Sequence, residues 1–194
     1  MESNYAIYIL LSHTGTLPSK FIKMYTREPY SHVSIALDPN LDELYSFGRL
    51  NPYNPIVGGF IKEDILYGTF GRFPKTKCAL YRLPISKFQH KRLKEELNKF
   101  VADRNKYGYN FIGLFTMTLG IPMERKYKFF CSQFVATLLN RSGITLLHKS
   151  DSLATPMDFR TCQGLSLIYE GGLREYAYCN QNPIDRPANS LSPI

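Results

Sequence analysis

Residues 31–49 read SHVSIALDPNLDELYSFGR, and this stretch decides how the fold is built. It contains two runs rich in apolar and β-forming residues, 31–37 and 43–49, on either side of the turn-forming residues Asp38-Pro39-Asn40. Two such runs around a turn of this composition predict an antiparallel hairpin. We therefore expect the chain to form a sheet around this hairpin.

The length of the hairpin loop decides which side chains share a face. A loop of five residues would pair Leu37 with Glu43 and would place Ser34 opposite Ser46, on the face that also carries His32. A loop of four residues would turn Ser46 to the opposite face, because successive strand residues point to opposite sides. Both registers are compatible with the sequence.

Outward from the hairpin, other segments show strand or helix patterns. Strands are predicted at 5–11, 77–83, 166–169 and 176–179, loops with one short strand at 51–71, and helices at 17–27, 86–103 and 131–141. This mixture predicts an α+β fold with an antiparallel sheet packed against helices. We expect a single domain over residues 1–179 and a loose tail at 180–194.

The net charge of +8 is placed unevenly along the 194 residues. Residues 71–128 hold fourteen Lys or Arg against four Asp or Glu. Lysines on a solvated helix face would account for this excess of positive charge without a ligand. Alternatively, the region could bind an anionic lipid or an acidic polymer. The region contains no base-stacking motif and no identifiable DNA-recognition helix, so we do not expect the protein to bind nucleic acid.

Several classes of protein are not supported by the sequence. It contains no Cys-x-x-Cys, His-Glu-x-x-His or glycine-rich phosphate-loop motif, so we expect no metal and no cofactor. Its four cysteines are too few and too scattered for a disulfide scaffold. The N-terminal residues do not resemble a signal peptide, and the apolar run from Phe111 to Ile121 is too short to span a bilayer. A cytoplasmic protein with no transmembrane segment is therefore expected.

Cys131 is the candidate nucleophile. It lies in the first turn of a predicted helix, where unpaired backbone N–H groups and the helix dipole favour a thiolate and a developing oxyanion. It shares an apolar stripe with Phe134 and Leu138, so it faces the sheet. The same position also suits a small buried hydrophobic residue. A strand-borne base would favour catalysis, and His32, at the start of the first hairpin strand, is the candidate.

The segment Ser31–Leu37, followed far downstream by Phe130–Val135, resembles the circularly permuted papain-like proteins of the NlpC superfamily. In this branch, which includes the lecithin-retinol acyltransferase-like enzymes, the histidine strand precedes the cysteine helix. The stretch Thr155–Phe159 also looks like a Thr/Ser-Pro-x-Asp segment of bacterial members. The resemblance covers about residues 5–160. It implies a permuted papain-like fold and a Cys131–His32 pair.

The resemblance also implies a third polar residue on the strand after the histidine strand. The family often has His, Asn, Gln or Glu there, whereas this chain has no second histidine in that run. Aligning 44–48 with the family's second strand puts Ser46 at the position, with Glu43 and Tyr45 as alternatives. A serine can orient an imidazole by a hydrogen bond, but it cannot stabilise the imidazolium as a carboxylate would.

These features predict a thiol hydrolase or acyltransferase that acts on an amide or ester bond. The substrate would be a peptide, a cell-wall fragment or a lipid, and the reaction would pass through an acyl-enzyme on Cys131 with His32 as general base. The alternative is a non-catalytic protein on the same fold that binds a lipid or peptide, which the weak third residue favours. A thiol that reacts no faster than an ordinary cysteine would distinguish the binding protein.

Overall fold

A six-stranded antiparallel sheet forms the centre of the fold. The computed structural model describes residues 5–15, 29–51 and 54–181. The strands in chain order are β1 (Tyr5–His13), β2 (His32–Ala36), β3 (Leu44–Asn51), β4 (Asn54–Glu63), β5 (Lys77–Ile85), β6 (Gly108–Tyr109), β7 (Lys128–Phe129) and β8 (Ser166–Gly172). The sheet has the order β4-β3-β2-β1-β5-β8, and β6 and β7 pair in parallel as a separate ribbon.

Five helices lie among the described residues: α1 (Gly68–Arg72), α2 (Lys87–Ala102), α3 (Phe111–Thr118), α4 (Cys131–Arg141) and α5 (Leu173–Gln181). The spacing of Ser86 and Gln89 in the sequence predicts a capping box, and the box forms at the start of α2: Ser86 Oγ accepts from Gln89 N–H, and the Gln89 side chain accepts from Ser86 N–H. The helix α4 ends before Gly143, whose φ of +75° requires the left-handed conformation that glycine adopts easily. The α+β class predicted from the sequence is confirmed.

The hairpin adopts the five-residue loop. Ile35 pairs with Tyr45, and Leu37 N–H donates to the Glu43 carbonyl at 3.2 Å. The Asp38 carboxylate closes the loop by accepting from the backbone N–H groups of Asp42 and Glu43. This register places Ser46 on the His32 face of the sheet.

The sheet is covered on both faces, because residues of β1 contribute to two hydrophobic clusters. Ile7, Ile9 and Leu11 pack with side chains of α2 and α4, whereas Leu10 packs on the opposite face with side chains of α1 and α5. The larger cluster contains a set of aromatic rings that we call the aromatic cluster: Phe47, Phe60, Phe100, Tyr107, Phe129 and Phe134. It joins α2 and α4 to β3 and β4, and so fixes the helix that begins at Cys131.

Two sequence-based predictions of local structure are wrong. The region 51–71 is not mainly loop, because β4 runs for ten residues through it. Gly58 permits this pairing with β3, since a Cβ at that position would lie 2.9 Å from the Gly48 carbonyl oxygen. Residues 176–179 belong to α5 instead of a strand, because Leu173, Tyr176 and Ala177 are buried at helical spacing.

Two other predictions cannot be compared with the structure. The helix at 17–27 and all but the first two residues of the tail at 180–194 lie outside the described residues. Among the residues that are described, each helix is too short or too polar to cross a lipid bilayer.

Candidate active site

The structure brings the two main candidate residues together. His32 is the first residue of β2 and Cys131 is the first residue of α4, and α4 packs against β2. The Cys131 side chain lies close enough to the His32 ring and to the backbone N–H groups of Val33 and Ser132 for all three to lower the pKa of its thiol. Only 4% of Cys131 is exposed. The thiol is therefore held against a base and two fixed donors.

A carboxylate that the sequence-based reasoning missed occupies the other side of the imidazole. Glu63, the last residue of β4, lies with its Oε1 2.9 Å from His32 Nε2. Its Oε2 accepts a 2.5 Å hydrogen bond from the Ser34 hydroxyl. Because Nε2 faces Glu63, Nδ1 is the ring nitrogen that remains for Cys131. The result is a Cys131–His32–Glu63 relay in which each group orients the next.

The three residues of the relay stabilise one another's charged forms. Burial alone would lower the pKa of His32, but the Glu63 carboxylate and the hydrogen bonds with Cys131 and Glu63 raise it to about 10. Burial likewise opposes ionisation of Glu63, but His32 and the Ser34 hydroxyl hold the pKa of its carboxyl below the usual range. Burial also disfavours the Cys131 thiolate, yet His32 and the two backbone donors lower the pKa of the thiol. The arrangement therefore favours the thiolate form of Cys131 and the protonated form of His32.

Ser46 does not make the contact with His32 that the sequence predicted. Glu63 holds Nε2 instead, and the buried Ser46 hydroxyl lies beside Glu63, where it favours the carboxylate form without making a hydrogen bond of good geometry. The two alternatives to Ser46, Glu43 and Tyr45, have other partners. Glu43 Oε2 lies 4.0 Å from Lys94 Nζ, and the Tyr45 ring stacks on the Phe60 ring. The residue that contacts His32 is therefore Glu63 of β4. Ser46 of β3, the strand that follows the histidine strand, lies next to it.

Glu63 was missed because residues 51–71 were predicted as loops with one short strand, whereas β4 runs for ten residues and ends at Glu63. Its side chain reaches His32 only when β4 pairs with β3, with Glu63 opposite Leu44 and Lys62 opposite Tyr45. The run Phe60-Ile61-Lys62-Glu63 has β-forming residues that could have signalled the end of a strand. The Gly and Pro residues before this run are typical of loops, so the segment was predicted as mainly loop.

A cavity of about 140 Å³ opens beside His32 and Glu63 of the relay. Its lining includes His32, Glu63, Arg49, Tyr109 and Phe111. Burial, together with the nearby Cys131, raises the pKa of Tyr109 well above its ordinary value of 10, against the opposing influence of Arg49. The Tyr109 hydroxyl therefore stays protonated and can donate a hydrogen bond. The cavity combines an apolar wall with the Arg49 guanidinium, the Tyr109 phenol and the side chains of His32 and Glu63.

The Thr155–Phe159 segment supports the start of α4. Thr155 and Asp158 form a capping box around a 3-10 turn, and Phe159 is fully buried in the core. Just before the turn, the Ala154 carbonyl accepts a 2.6 Å hydrogen bond from the Ser132 hydroxyl. Since Ser132 follows Cys131, the segment helps to hold Cys131 in place.

The Lys and Arg residues of α2 are exposed to solvent. Within residues 5–15, 29–51 and 54–181, no group of three or more His, Cys, Asp or Glu side chains could hold a metal ion. On α2 the exposed lysines Lys91 and Lys99 lie near Glu95 and Glu96 of the same helix. Part of the basic charge of residues 71–128 is therefore accounted for by a solvated helix face.

Comparison with protein-family models gave no match for this chain, and comparison with curated proteins gave no match either. The residues of the site and their geometry are therefore the basis on which a function can be proposed.

The His32–Glu63 pair should stabilise the fold most between about pH 4.3 and pH 6.5. The raised pKa of His32 makes its contribution complete below about pH 6.5, and that contribution is lost as the pH rises through about 10. The lowered pKa of Glu63 makes its contribution present above about pH 4.3, and that contribution is lost as the pH falls through the folded-state pKa.

We therefore expect Glu63→Gln to lower the free energy of unfolding by about 1–3 kcal/mol near pH 6, and by less near pH 10. Urea unfolding of both proteins at the two pH values measures this difference. An equal difference at both values would contradict the ion pair.

Proposed function

We propose that the protein is a cysteine hydrolase or acyltransferase with a permuted papain-like arrangement, in which the histidine strand precedes the cysteine helix. The observation that carries the proposal is the Cys131–His32–Glu63 relay at a cavity. A thiolate at a helix N-terminus, a base and a carboxylate behind the base are the three groups that thiol-dependent acyl transfer needs.

In the first half-reaction the Cys131 thiolate attacks the carbonyl carbon of an amide or ester, and the carbonyl electrons move to oxygen. His32, protonated on Nδ1, then donates that proton to the leaving amine or alkoxide as the carbon–heteroatom bond breaks. The products are a thioester on Cys131 and a neutral His32. Glu63 keeps the imidazole oriented and stabilises its protonated form throughout.

In the second half-reaction the neutral His32 accepts a proton from water or from another acceptor nucleophile. The activated nucleophile attacks the thioester, and the Cys131 thiolate leaves with its electron pair. The imidazolium and the thiolate are thereby restored. Water gives hydrolysis, and an alcohol or amine gives acyl transfer.

The oxyanion of each tetrahedral intermediate needs fixed donors. The Cys131 backbone N–H, in the first turn of α4, is the first candidate, because the N–H groups of a first helical turn have no intrahelical partner. Tyr109 is our candidate for the second donor, because its protonated phenol lines the cavity beside His32 and lies near enough to Cys131 for their charges to interact. This donor was not assigned from the sequence.

The Glu63 carboxylate supports an enzyme over the alternative, a non-catalytic protein that binds a lipid or peptide. The case for a binding protein depended on a weak third residue, and Glu63 is a buried carboxylate hydrogen-bonded to the base. A peptide, a cell-wall fragment and a lipid remain the candidate substrates.

The test is the rate of iodoacetamide labelling of each cysteine against pH, read by mass spectrometry. We expect Cys131 to label with an apparent pKa below the reference value of about 8.5. We expect His32→Ala to reduce its labelling near pH 6 by about tenfold or more, because the thiolate fraction falls. Cys78 is the internal control, since burial raises the pKa of its thiol to about 12.

The wild-type pH profile decides the question even if the variant is unstable. Labelling of Cys131 that is no faster than that of Cys78 or Cys162, together with insensitivity to His32→Ala, would contradict the catalytic proposal and favour the binding protein.

A further inference from the structure

The helix α3 exposes an unusual amount of apolar surface beside the cavity. Five large side chains in and just after this helix are between 46% and 65% exposed; we call them the apolar patch: Phe111, Ile112, Phe115, Leu119 and Ile121. No charged residue occurs between positions 110 and 123. Exposed apolar side chains that are grouped in this way mark a contact surface.

A basic turn lies next to the apolar patch. Residues 125–128 form a tight turn in which Lys128 N–H donates to the Arg125 carbonyl and Tyr127 has a φ of +58°. Tyr127 is 40% exposed, and Lys126 Nζ lies 5.1 Å from the centroid of its ring. Among the described residues, none of the three cations of this turn forms an ion pair with a carboxylate.

Backbone pairing holds the turn and the helix together. Gly108 and Tyr109 of β6 pair with β7, which begins at Lys128, and Gly108 N–H donates to the Tyr127 carbonyl. Asn110 follows β6 directly and caps α3 by accepting from Gly113 N–H. The apolar patch and the basic turn therefore belong to one surface whose two parts are fixed relative to each other.

The chemistry of this surface fits an anionic bilayer better than a protein. Protein interfaces contain about one hydrogen bond per 100–200 Å², and the segment 111–121 offers only two threonines as polar side chains. A bilayer needs no hydrogen bonds from the buried part, and it accepts apolar side chains while its anionic headgroups attract flanking Lys and Arg. A tyrosine at the edge is also typical of membrane interfaces.

We propose that the apolar patch and the basic turn form a docking surface for an anionic lipid bilayer. The apolar side chains enter the region between headgroups and acyl chains, and Arg125, Lys126 and Lys128 contact the headgroups. Because Phe111 and Leu114 also line the cavity, docking places its mouth at the membrane surface. A role for docking in substrate delivery rests on the proposed function, whereas the binding itself does not.

The experiment is co-sedimentation with vesicles of phosphatidylcholine alone and of phosphatidylcholine mixed with phosphatidylglycerol. The Cys131→Ala protein is used throughout, so that binding is measured without turnover. We expect binding to the mixed vesicles, with a partition coefficient reduced about tenfold by Phe115→Ser and about fivefold by Lys126→Ala. High salt should remove most of the preference for the anionic vesicles.

Phe88→Ser is the matched control. Phe88 lies on α2 and is 67% exposed, compared with 65% for Phe115, so the two substitutions remove the same ring from equally exposed positions. The control should bind vesicles as the parent does. Both side chains point to solvent, so neither substitution should change the far-UV circular dichroism spectrum.

Absence of vesicle binding, or equal binding by Phe115→Ser and Phe88→Ser, would overturn the docking surface. A dimer in light scattering that Phe115→Ser dissociates would also overturn it, in favour of a second copy as the occupant. Vesicle binding together with an unreactive Cys131 in the wild-type protein would keep the docking surface and remove the proposed function. The two proposals can therefore fail separately.

Discussion

Replacing Glu63 by glutamine should reduce the rate of the proposed Cys131-dependent acyl transfer by about 10²–10⁴-fold, because Glu63 orients His32 and a general acid–base group contributes a factor in that range. The substitution preserves the shape of the side chain and removes its charge. Without the carboxylate the imidazolium loses its main stabilising partner, so the pKa of His32 falls and the pKa of Cys131 rises. Less thiolate is then present at neutral pH, and the base is less firmly oriented.

The effect can be measured with p-nitrophenyl acetate, which reports formation of the acyl-enzyme without knowledge of the natural substrate. In parallel, the pH profile of Cys131 alkylation should move to higher pH in Glu63→Gln. This second measurement separates a change at the site from a simple loss of folded protein.

Ser46→Ala is the matched control, because Ser46 lies beside Glu63 but does not hold His32. We expect its acyl-transfer rate to stay within about threefold of wild type, in line with the small effect of removing one weak neutral contact. A Ser46→Ala defect as large as that of Glu63→Gln would restore serine as the orienting residue. An unchanged pH profile in Glu63→Gln would make Glu63 a structural residue only.

Phe100→Ala should lower the free energy of unfolding by about 3–5 kcal/mol, the usual range for removing a buried aromatic ring. Phe100 is 1% exposed, and its ring centroid lies between 4.8 and 6.2 Å from those of five other rings in the aromatic cluster. The substitution leaves a cavity where α2 and α4 meet β3 and β4. Equilibrium unfolding in urea measures the loss.

Phe88→Ala, on the exposed side of the same helix, should change the free energy of unfolding by less than about 0.5 kcal/mol. The comparison isolates burial from helix propensity, because both substitutions place alanine in α2. A similar effect from the two would mean that the aromatic cluster does not hold the helices on the sheet.

Elements with a strong local pattern were predicted well from the sequence. The helix that begins at Cys131 has the predicted bounds, and the capping box at Ser86 forms as expected. In both cases the signal lies within a few residues: an apolar stripe, a cap and a glycine stop. Predictions failed at β4 and at 176–179, where the local signal was weak and pairing or packing with distant residues decided the outcome.

The candidate site was also predicted only in part from the sequence. Cys131 and His32 could be named from the sequence, because each begins an element whose type was readable from its own residues. The hairpin register could only be narrowed to two choices, and Asp38 decided between them by capping the five-residue loop. The third residue could not be found in this way.

The sequence by itself determined the α+β class, the hairpin, the cysteine helix and the two residues that begin β2 and α4. Only the tertiary structure decided that Glu63, thirty-one positions after His32, completes the relay, and that α3 lies open beside the cavity. The physical reason is that helix and strand periodicity act over a few residues. Which strand edges pair, which carboxylate is buried against an imidazole and which apolar face is left uncovered depend on the packing of the whole sheet.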